Sequence, residues 1–396
     1  MSNDHISSTN KLNDSAGMNE QNKPTLLVMA GGTGGHIFPG LAVADKLQAQ
    51  GWHIHWLGTA EKMEAELVPK HGYEISFIDI SGLRNKQLIT WIKLPFKLLK
   101  SLNQARKVIK KVRPDVVLGM GGYASAPGGF MAWLMKIPLI VHEQNAAAGL
   151  SNRLLSKVAT TVCCAFPNAF NSNINAHVVG NPIRESISVN KKSENIHKVK
   201  EDEDNEHNIL IVGGSLGAQV LNEVMPKSFL SLKEMAPQNS IKQIFNIIHQ
   251  TGKGKYKKVL ATYNELELTT DQVKVSEFID DIASAYEWAD IVICRAGALT
   301  VSELAMAGKP AIFIPLPHAV DDHQTKNANY LVSRGAATLL PQKELTEEKL
   351  TALLTSLFSD AQILKTMSES AIKAANIDAT NDVADLIKAL QKPRAE

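Results

Sequence analysis

The residues best placed to do chemistry lie in glycine-rich turns that follow apolar segments. The first, "GGTGGHIFPG" at 31–40, follows "TLLVMA", and the second, "GGSLGA" at 213–218, follows "NILIV". A strand, a glycine turn and a helix start would place free backbone N–H groups and the positive end of a helix dipole at one point, which suits a diphosphate. One such turn alone is better explained by tight turning and close packing. Two of them, with a third segment "GMGGYASAPGG" at 119–129, favour a ligand cleft.

Known nucleotide-binding signatures do not fit these turns. The first turn lacks the last glycine of the dinucleotide fingerprint, and the next apolar segment, "HIHWLG", does not end in an acidic residue. Neither turn has the GxxxxGK[ST] pattern of a phosphate-binding loop, and "TGKGK" at 251–255 lacks its spacing. An NAD-dependent oxidoreductase is therefore disfavoured, and an ATPase is not expected.

A denser group of polar residues lies in the second half. In "RAGALTVSELAMAG" at 295–308, backbone amides could meet phosphate or sugar oxygens, and Glu303 could accept hydrogen bonds from two ribose hydroxyls. Helix capping by Thr300 and Ser302, with Glu303 near the helix dipole, explains the same letters equally well. Downstream, hydrogen-bonding side chains that suit a polyhydroxyl ligand follow a predicted strand: Asp321, Asp322, His323, Gln324 and Asn327.

His36 is the candidate general base. It ends the first glycine turn, at the predicted cleft, and histidine is the residue that most often exchanges protons near neutral pH. A histidine that only orders the turn is an equally good interpretation. The one Asp-x-Asp triplet typical of metal-dependent sugar transferases, Asp202-Glu203-Asp204, lies in a charged run that is typical of a solvated loop. We therefore expect no metal and no cofactor, with backbone amides stabilising the leaving group.

Composition restricts the class of protein. The chain has 396 residues and a formal net charge of +2, which does not indicate a nucleic-acid partner. Three cysteines without a CxxC pair fit a reducing compartment, and no apolar stretch approaches the roughly 20 residues of a membrane span. The polar residues 1–23 are expected to form a disordered tail.

From residue 24 onward, short apolar runs alternate with longer amphipathic segments. Near-continuous apolar runs such as "DVVLGM" and "PLIVHE" are typical of parallel strands buried on both faces. The polar run 187–207 is predicted to be a charged linker between a domain at 24–186 and a second at 208–377. The periodicity of "ATNDVADLIKALQK" predicts a final amphipathic helix, at about 378–396. The chain is predicted to be an α/β protein with two doubly wound, Rossmann-like domains facing across a cleft.

The ordered motifs resemble one family. "GGTGGHIFPGLAVA", "GMGGYASAPGG", "HEQNAAAGLSN", "VVGNPIR", "GGSLGA", the long segment 277–317 and "DDHQTKNA" are similar to the MurG family of bacterial glycosyltransferases. The resemblance implies a GT-B fold and transfer of N-acetylglucosamine, with inversion, from UDP-N-acetylglucosamine to the 4-hydroxyl of undecaprenyl-pyrophosphoryl-N-acetylmuramoyl-pentapeptide. It also implies that the last helix packs on the first domain, and that the protein lies at the cytoplasmic face of the plasma membrane.

The resemblance also implies roles for individual residues. Ser215 would face the diphosphate, Ile279 would offer backbone bonds to uracil, and Glu303 would hold the ribose. The other residues implied on the donor side are Arg184, Ala298, Leu299, Thr300, Val301, Ser302, Gln324 and Asn145, with Thr33, Gly34 and Gly35 closing the cleft. Those implied on the acceptor side are His36, Tyr123 and Asn145. The sequence departs from the family at Leu216 and Thr325, where glutamine is common.

A lipid-linked acceptor implies a membrane surface. The segment 83–112 combines apolar and basic residues, and after Pro95 the spacing of Leu98, Leu102, Ala105 and Ile109 predicts a core-facing stripe. By sequence alone an ordinary surface helix is slightly favoured, whereas the resemblance favours docking to anionic lipid. The residues proposed for that docking are Trp91, Ile92, Lys93, Leu94, Phe96 and Lys97.

Two rival functions remain open at this level. A UDP-N-acetylglucosamine 2-epimerase would share donor recognition but would need buried carboxylates at the sugar, and the N-terminal motifs offer no convincing pair. A non-catalytic nucleotide-sugar-binding protein would tolerate loss of His36 and Glu303.

Overall fold

The computed structural model describes residues 23–80, 88–187, 206–214, 217–235, 244–268, 272–317 and 322–391, without the side chains of 88–94 and Glu185. Within these residues the chain forms two parallel sheets. The first sheet has seven strands in the order β3-β2-β1-β4-β5-β6-β7. Its strands are β1 (Thr25–Ala30), β2 (His53–Gly58), β3 (Glu74–Phe77), β4 (Val116–Gly121), β5 (Leu139–Glu143), β6 (Thr161–Cys164) and β7 (Ala176–Val178).

The second sheet has six strands, in the order β10-β9-β8-β11-β12-β13. Its strands are β8 (Glu206–Val212), β9 (Ile244–Gln250), β10 (Val273–Ser276), β11 (Ile291–Cys294), β12 (Ala311–Phe313) and β13 (Ala337–Leu339). Both sheets therefore reverse their strand order beside the first strand, at β1/β4 and at β8/β11. The crevice at such a reversal is where doubly wound sheets bind ligands.

Helices cover both faces of each sheet. The helices of the first half are α1 (Gly34–Ala49), α2 (Glu64–Lys70), α3 (Leu88–Val112), α4 (Ser125–Leu134) and α5 (Leu150–Leu155). Those of the second half are α6 (Gln219–Met235), α7 (Tyr256–Glu265), α8 (Ile282–Trp288), α9 (Ala298–Met306), α10 (His323–Val332), α11 (Glu347–Phe358), α12 (Ala361–Ala374) and α13 (Ala379–Leu390).

The first strand of each sheet shows why its sequence is uniformly apolar. Along β1, Leu26 and Val28 point into the core under α1, whereas Leu27 and Met29 point into the core under α3 and α4. Successive residues of a strand face opposite sides, so a strand between two helical layers must be apolar at every position. The prediction of an α/β protein with two doubly wound domains is confirmed.

The last helix returns to the first sheet. Residues of α13 pack against α1, and Val383 and Ile387 are fully buried in the same core as Leu26 and Val28. The chain thus passes between the two sheets twice, near Gly180–Ile187 and near Ala375–Ala379, and Thr380 donates a hydrogen bond from its hydroxyl to the carbonyl of Ile183 where the two passages meet.

The predicted core-facing stripe of α3 is wrong at Leu98. Ala105 and Ile109 are buried and Leu102 packs against that core, but Leu98 is 46% exposed. All residues from 95 to 100 are exposed, and burial begins only at Ser101. Helical spacing continues through this part of α3, but residues 95–100 lie beyond the core. Among the described residues, no helix combines the length and apolarity needed to cross a membrane.

The burial of α13 predicts a stability effect far from any glycine turn. Replacing Ile387 with alanine should lower the free energy of unfolding by about 2–4 kcal/mol, because a fully buried branched side chain leaves a cavity in the first core. Denaturant unfolding measures this change. Asp385→Ala, on the exposed side of the same helix, is the control and should change it by less than about 0.5 kcal/mol; equal losses would show that α13 is not part of that core.

Candidate functional site

The end of β1 meets the end of β4 through glycines. At Gly122, a Cβ atom would lie 2.4 Å from the carbonyl oxygen of Gly31, and the backbone has φ = +87°. A side chain at this position is therefore excluded by both contact and conformation. A shift in strand register between Met29 and Ala30 accompanies this close approach. The first glycine turn is thus packed directly on the segment that follows β4.

A buried carboxylate holds the first turn in place. Glu64, at the start of α2, is fully buried, and its Oε2 accepts a hydrogen bond of 2.9 Å from the backbone N–H of Gly32. Its Oε1 accepts from the N–H and hydroxyl of Thr59 at 3.0 and 2.6 Å. Both oxygens therefore serve the scaffold. The sequence analysis did not find Glu64, because nothing in the local pattern sets it apart from the exposed charges around it.

The start of α1 carries Thr33, Gly34 and Gly35, the three residues predicted to close the cleft. Thr33 is the exposed N-cap of α1, and its carbonyl accepts from the N–H groups of His36 and Ile37 at 3.1 and 3.3 Å. Gly34 and Gly35 form the first turn, where backbone N–H groups have no carbonyl one turn earlier in the helix. This arrangement suits an anion.

His36 is half-buried and bonded to a neighbouring strand end. Its Nδ1 lies 2.7 Å from Oε1 of Gln144, which follows β5. Tyr123, the other predicted acceptor-side residue, is 43% exposed in the loop between β4 and α4. Gln144 lies inside the motif "HEQNAAAGLSN" that carried the resemblance, but the motif alone did not single it out from Asn145.

Asn145 is hydrogen-bonded to side chains from both halves of the chain. Its side-chain N–H donates to Glu143 at 3.1 Å, and its Oδ1 accepts from Asn327 at 3.3 Å. Glu143 is itself buried, and its two oxygens also accept from the N–H groups of Asn145 and Gly149 and from the side chain of Asn152. Like Glu64, this carboxylate uses both of its oxygens to hold a loop in place.

Asn327 holds the two sheets together. It is fully buried, its Oδ1 accepts from the N–H of Ala146 at 2.7 Å, and its Nδ2 donates to Asn145 and to the carbonyl of Ala296. Because every polar atom of its side chain is used, the interpretation of Asn327 as a sugar-binding residue is not supported by these contacts. A buried amide without hydrogen-bond partners would lower the free energy of unfolding, and these contacts remove that cost.

A second amide makes the same connection closer to α9. The Nδ2 of Asn181 lies 3.1 Å from the carbonyl of Gln144, 3.4 Å from that of Ala298 and 3.0 Å from Oγ of Ser302. The partner of His36 and the start of α9 are therefore joined through one side chain. Asn181 is 2% exposed, and the sequence analysis missed it although it lies in the quoted motif "VVGNPIR".

The capping interpretation of α9 is wrong. Gly297 is the N-cap, no side chain caps the helix, and Thr300 and Ser302 lie inside it. Because Ser302 accepts from Asn181, its own hydroxyl hydrogen remains available to a ligand. Ala298 and Val301 are buried, whereas Leu299 is partly exposed.

Glu303 is buried in the second turn of α9. Its Oε2 accepts a hydrogen bond of 3.1 Å from the hydroxyl of Tyr286, whose pKa burial raises well above its usual value. Burial raises the pKa of Glu303 to about 7, although the Arg184 charge and the Tyr286 hydrogen bond oppose that shift. Arg184 itself is exposed and lies 4.4 Å from the centre of the Phe38 ring of α1. A carboxylate in such a place is typical of a functional site.

The remaining donor-side residues lie around α9 and α10. Gln324 uses its Oε1 to accept from the N–H of Leu316 at 2.8 Å, which leaves its side-chain N–H₂ group for a ligand. Ile279 is half-buried against the core that includes Tyr286. Ser215, Leu216 and Asp321 lie outside the described residues, as does the Asp202-Glu203-Asp204 triplet.

Two family models match the chain, one in each half. The family model described as the glycosyltransferase family 28 N-terminal domain matches residues 26–164, and that of the C-terminal domain matches residues 208–390. A Colwellia psychrerythraea protein named UDP-N-acetylglucosamine--N-acetylmuramyl-(pentapeptide) pyrophosphoryl-undecaprenol N-acetylglucosamine transferase is 64% identical, over 92% of each chain.

Solved structures with higher and with lower sequence identity are similar to this fold. The crystal structure of Acinetobacter baumannii MurG is 41% identical, with a TM-score of 0.75, over 92% of this chain and 99% of that one. A putative UDP-N-acetylglucosamine 2-epimerase from Listeria monocytogenes has a TM-score of 0.63 at 15% identity, over 93% and 96% of the two chains. At that identity the second likeness concerns the fold alone.

The raised pKa of Glu303 predicts a stability effect with a definite sign. Its carboxyl ionises at higher pH in the folded chain than in the unfolded one, so the unfolded state gains relative stability as the pH rises from about 4.5 to about 7. Glu303→Gln removes this effect. The variant should exceed the parent in free energy of unfolding by about 1–3 kcal/mol at pH 8, with no difference below about pH 4.

Denaturant unfolding at several pH values measures the difference. Glu265→Gln, on the exposed face of α7, is the matched control and should change the free energy of unfolding by less than about 0.5 kcal/mol. A Glu303→Gln variant less stable than the parent at pH 8 would contradict the assigned environment.

Proposed function

The chain belongs to glycosyltransferase family 28, and on that premise we propose that it transfers N-acetylglucosamine from UDP-N-acetylglucosamine to undecaprenyl-pyrophosphoryl-N-acetylmuramoyl-pentapeptide. The acceptor is the 4-hydroxyl of the muramoyl sugar, and the product is the lipid-linked disaccharide used in peptidoglycan synthesis. The observation that supports this proposal is the contact of the Asn181 side chain with both Gln144 and Ser302. It brings the partner of His36 to the start of α9, so that a donor on α9 would lie beside a base on α1.

The donor is proposed to bind along α9 and α10. Backbone N–H groups after Gly297 and the hydroxyl of Ser302 would face phosphate oxygens, where the positive end of the helix dipole stabilises the departing diphosphate. Glu303 would accept from the ribose hydroxyls, and Gln324 would donate to the transferred sugar. Arg184, which lies over the Phe38 ring and whose charge acts on the carboxylate of Glu303, would lie near the nucleotide.

His36 is proposed to remove the proton of the acceptor hydroxyl. As that oxygen attacks the anomeric carbon, the bond to the UDP oxygen breaks and UDP leaves with its electron pair, which inverts the configuration. The two other buried carboxylates of the first sheet, Glu64 and Glu143, hold loops through all their oxygens. They therefore give no support to an epimerase that needs a free carboxylate at the sugar.

The first test is kinetic. His36→Ala should lower kcat for acceptor-dependent UDP release by about 10²–10⁴-fold, the usual contribution of a general base. Binding of UDP-N-acetylglucosamine, measured by calorimetry, should be unchanged. Parent activity in excess EDTA should equal that with magnesium, because the amides stabilise the leaving group. Near-normal turnover of His36→Ala would remove its catalytic role.

We further propose that the first domain docks on anionic lipid at the cytoplasmic face of the inner membrane. Helix α3 packs against α4, and α4 against α5. Exposed residues of these helices, with two lysines that follow α4 and α5, form what we term the apolar-basic surface: Phe96, Leu99, Trp133, Leu134, Leu150 and Leu154, with Lys97, Lys136 and Lys157. Phe96 is 74% exposed, and a group of exposed apolar side chains of this kind is typical of an interaction surface. Of the other predicted docking residues, Trp91, Ile92, Lys93 and Leu94 have side chains outside the described part.

Vesicle flotation tests this docking. Trp133→Asp and Phe96→Asp should each reduce binding to vesicles containing anionic lipid by about tenfold or more, through lost apolar burial and charge repulsion. Met235→Asp, an exposed apolar position in the second domain, is the control and should bind like the parent. Equal binding of all variants would place the membrane contact elsewhere.

A further inference from the structure

The side chains behind His36 form a continuous hydrogen-bonded series that ends at a backbone carbonyl. His142, in β5, is fully buried, and its Nε2 lies 2.9 Å from the carbonyl oxygen of Gly180. A carbonyl oxygen can only accept, so Nε2 of His142 carries a proton. Burial lowers the pKa of His142 to about 4, which leaves the ring neutral and its Nδ1 an acceptor.

The orientation of the Gln144 amide follows from this ring. Its Nε2 lies 3.1 Å from Nδ1 of His142 and 3.1 Å from the carbonyl oxygen of the same residue. Both neighbours are acceptors, so the N–H₂ group must face them and the amide oxygen must face away. Gln144 is 1% exposed, which leaves the amide no water to compensate for the opposite orientation.

The amide oxygen in turn fixes the proton of His36. The Oε1 of Gln144 lies 2.7 Å from Nδ1 of His36 and has only lone pairs to offer. In the neutral ring the proton is therefore on Nδ1, and Nε2 keeps its lone pair. The ring also lies against the backbone of Gly121, where a Cβ atom would come within 2.9 Å of Cε1.

We propose that Gln144 and His142 are positioning residues that hold His36 in the tautomer with its Nε2 unprotonated, ready to accept the proton of the acceptor hydroxyl. The proposal rests on the proposed function, since it deepens the role of His36. It adds two residues that do not touch substrate. The Gly180 carbonyl that anchors the series lies beside Asn181, so the first passage between the sheets supports both the base and the donor helix.

The direct test is nitrogen NMR of the parent protein labelled with ¹⁵N-histidine, at a pH where His36 is neutral, with His36→Ala used to assign its signals. The expected spectrum shows a protonated-type Nδ1 and an unprotonated-type Nε2. Gln144→Met should remove this preference and lower kcat by about 10–100-fold, comparable to the effect of losing the partner that orients a metal-binding histidine, without raising the KM for UDP-N-acetylglucosamine. Gln144→Glu keeps an acceptor oxygen for Nδ1 but sets its second oxygen against the two acceptor atoms of His142, so it should not restore the parent kcat.

The outcomes separate this proposal from the function on which it rests. A parent spectrum with the proton on Nε2 of His36 would overturn the proposed positioning of His36, whatever the variants show. So would Gln144→Met with kcat within twofold of the parent, provided His36→Ala is inactive. Near-normal turnover of His36→Ala would instead overturn the assignment of the base. His55→Gln, a buried histidine of the same sheet that does not contact His36, controls for loss of sheet stability and should keep kcat within twofold.

Discussion

Two buried amide side chains join the two halves of this protein, and the geometry of the site depends on them. Asn327 holds Asn145 and Ala146 against α10 and β11, and Asn181 holds Gln144 against α9. Amides suit this position because each amide nitrogen can donate two hydrogen bonds, and because they carry no charge that would have to be desolvated. The strand-end segment after β5 therefore belongs to both domains. These contacts, together with the direct packing of α1 against α9, hold the proposed base on α1 in a fixed relation to the proposed donor helix α9.

Charge is distributed unequally across this junction. On the side of α1, the two buried carboxylates, Glu64 and Glu143, each accept hydrogen bonds from several N–H or hydroxyl donors, and the proposed base is a histidine. On the side of α9, Glu303 has one tyrosine hydroxyl and a more distant guanidinium, and its pKa lies near 7. A carboxylate so incompletely satisfied gains from two further donors, which is what a ribose would provide. The site thus retains unused hydrogen-bonding capacity where the donor is proposed to bind and little where the scaffold is held.

The sequence was sufficient for the fold, because the evidence for it is local. Continuous apolar runs such as "TLLVMA" predict strands buried on both faces, and Leu26 and Leu27 do point into opposite cores. It was insufficient where the answer depends on distant partners. Asn327 looked like a ligand-binding residue because its partner lies 182 residues away, and Glu64 was missed because its role depends on a turn 32 residues earlier. Leu98 has the right helical phase, but periodicity does not tell where a core ends.

The central claim is that a sugar donor on α9 meets an acceptor hydroxyl beside His36. The most direct measurement is the structure of the product formed by the parent protein from UDP-N-acetylglucosamine and a lipid-linked muramoyl pentapeptide, determined by mass spectrometry and NMR. The account predicts one added N-acetylglucosamine in β-linkage to the 4-hydroxyl, with one UDP released per disaccharide. Release of UDP without acceptor, an α-linkage, or the appearance of N-acetylmannosamine would contradict it.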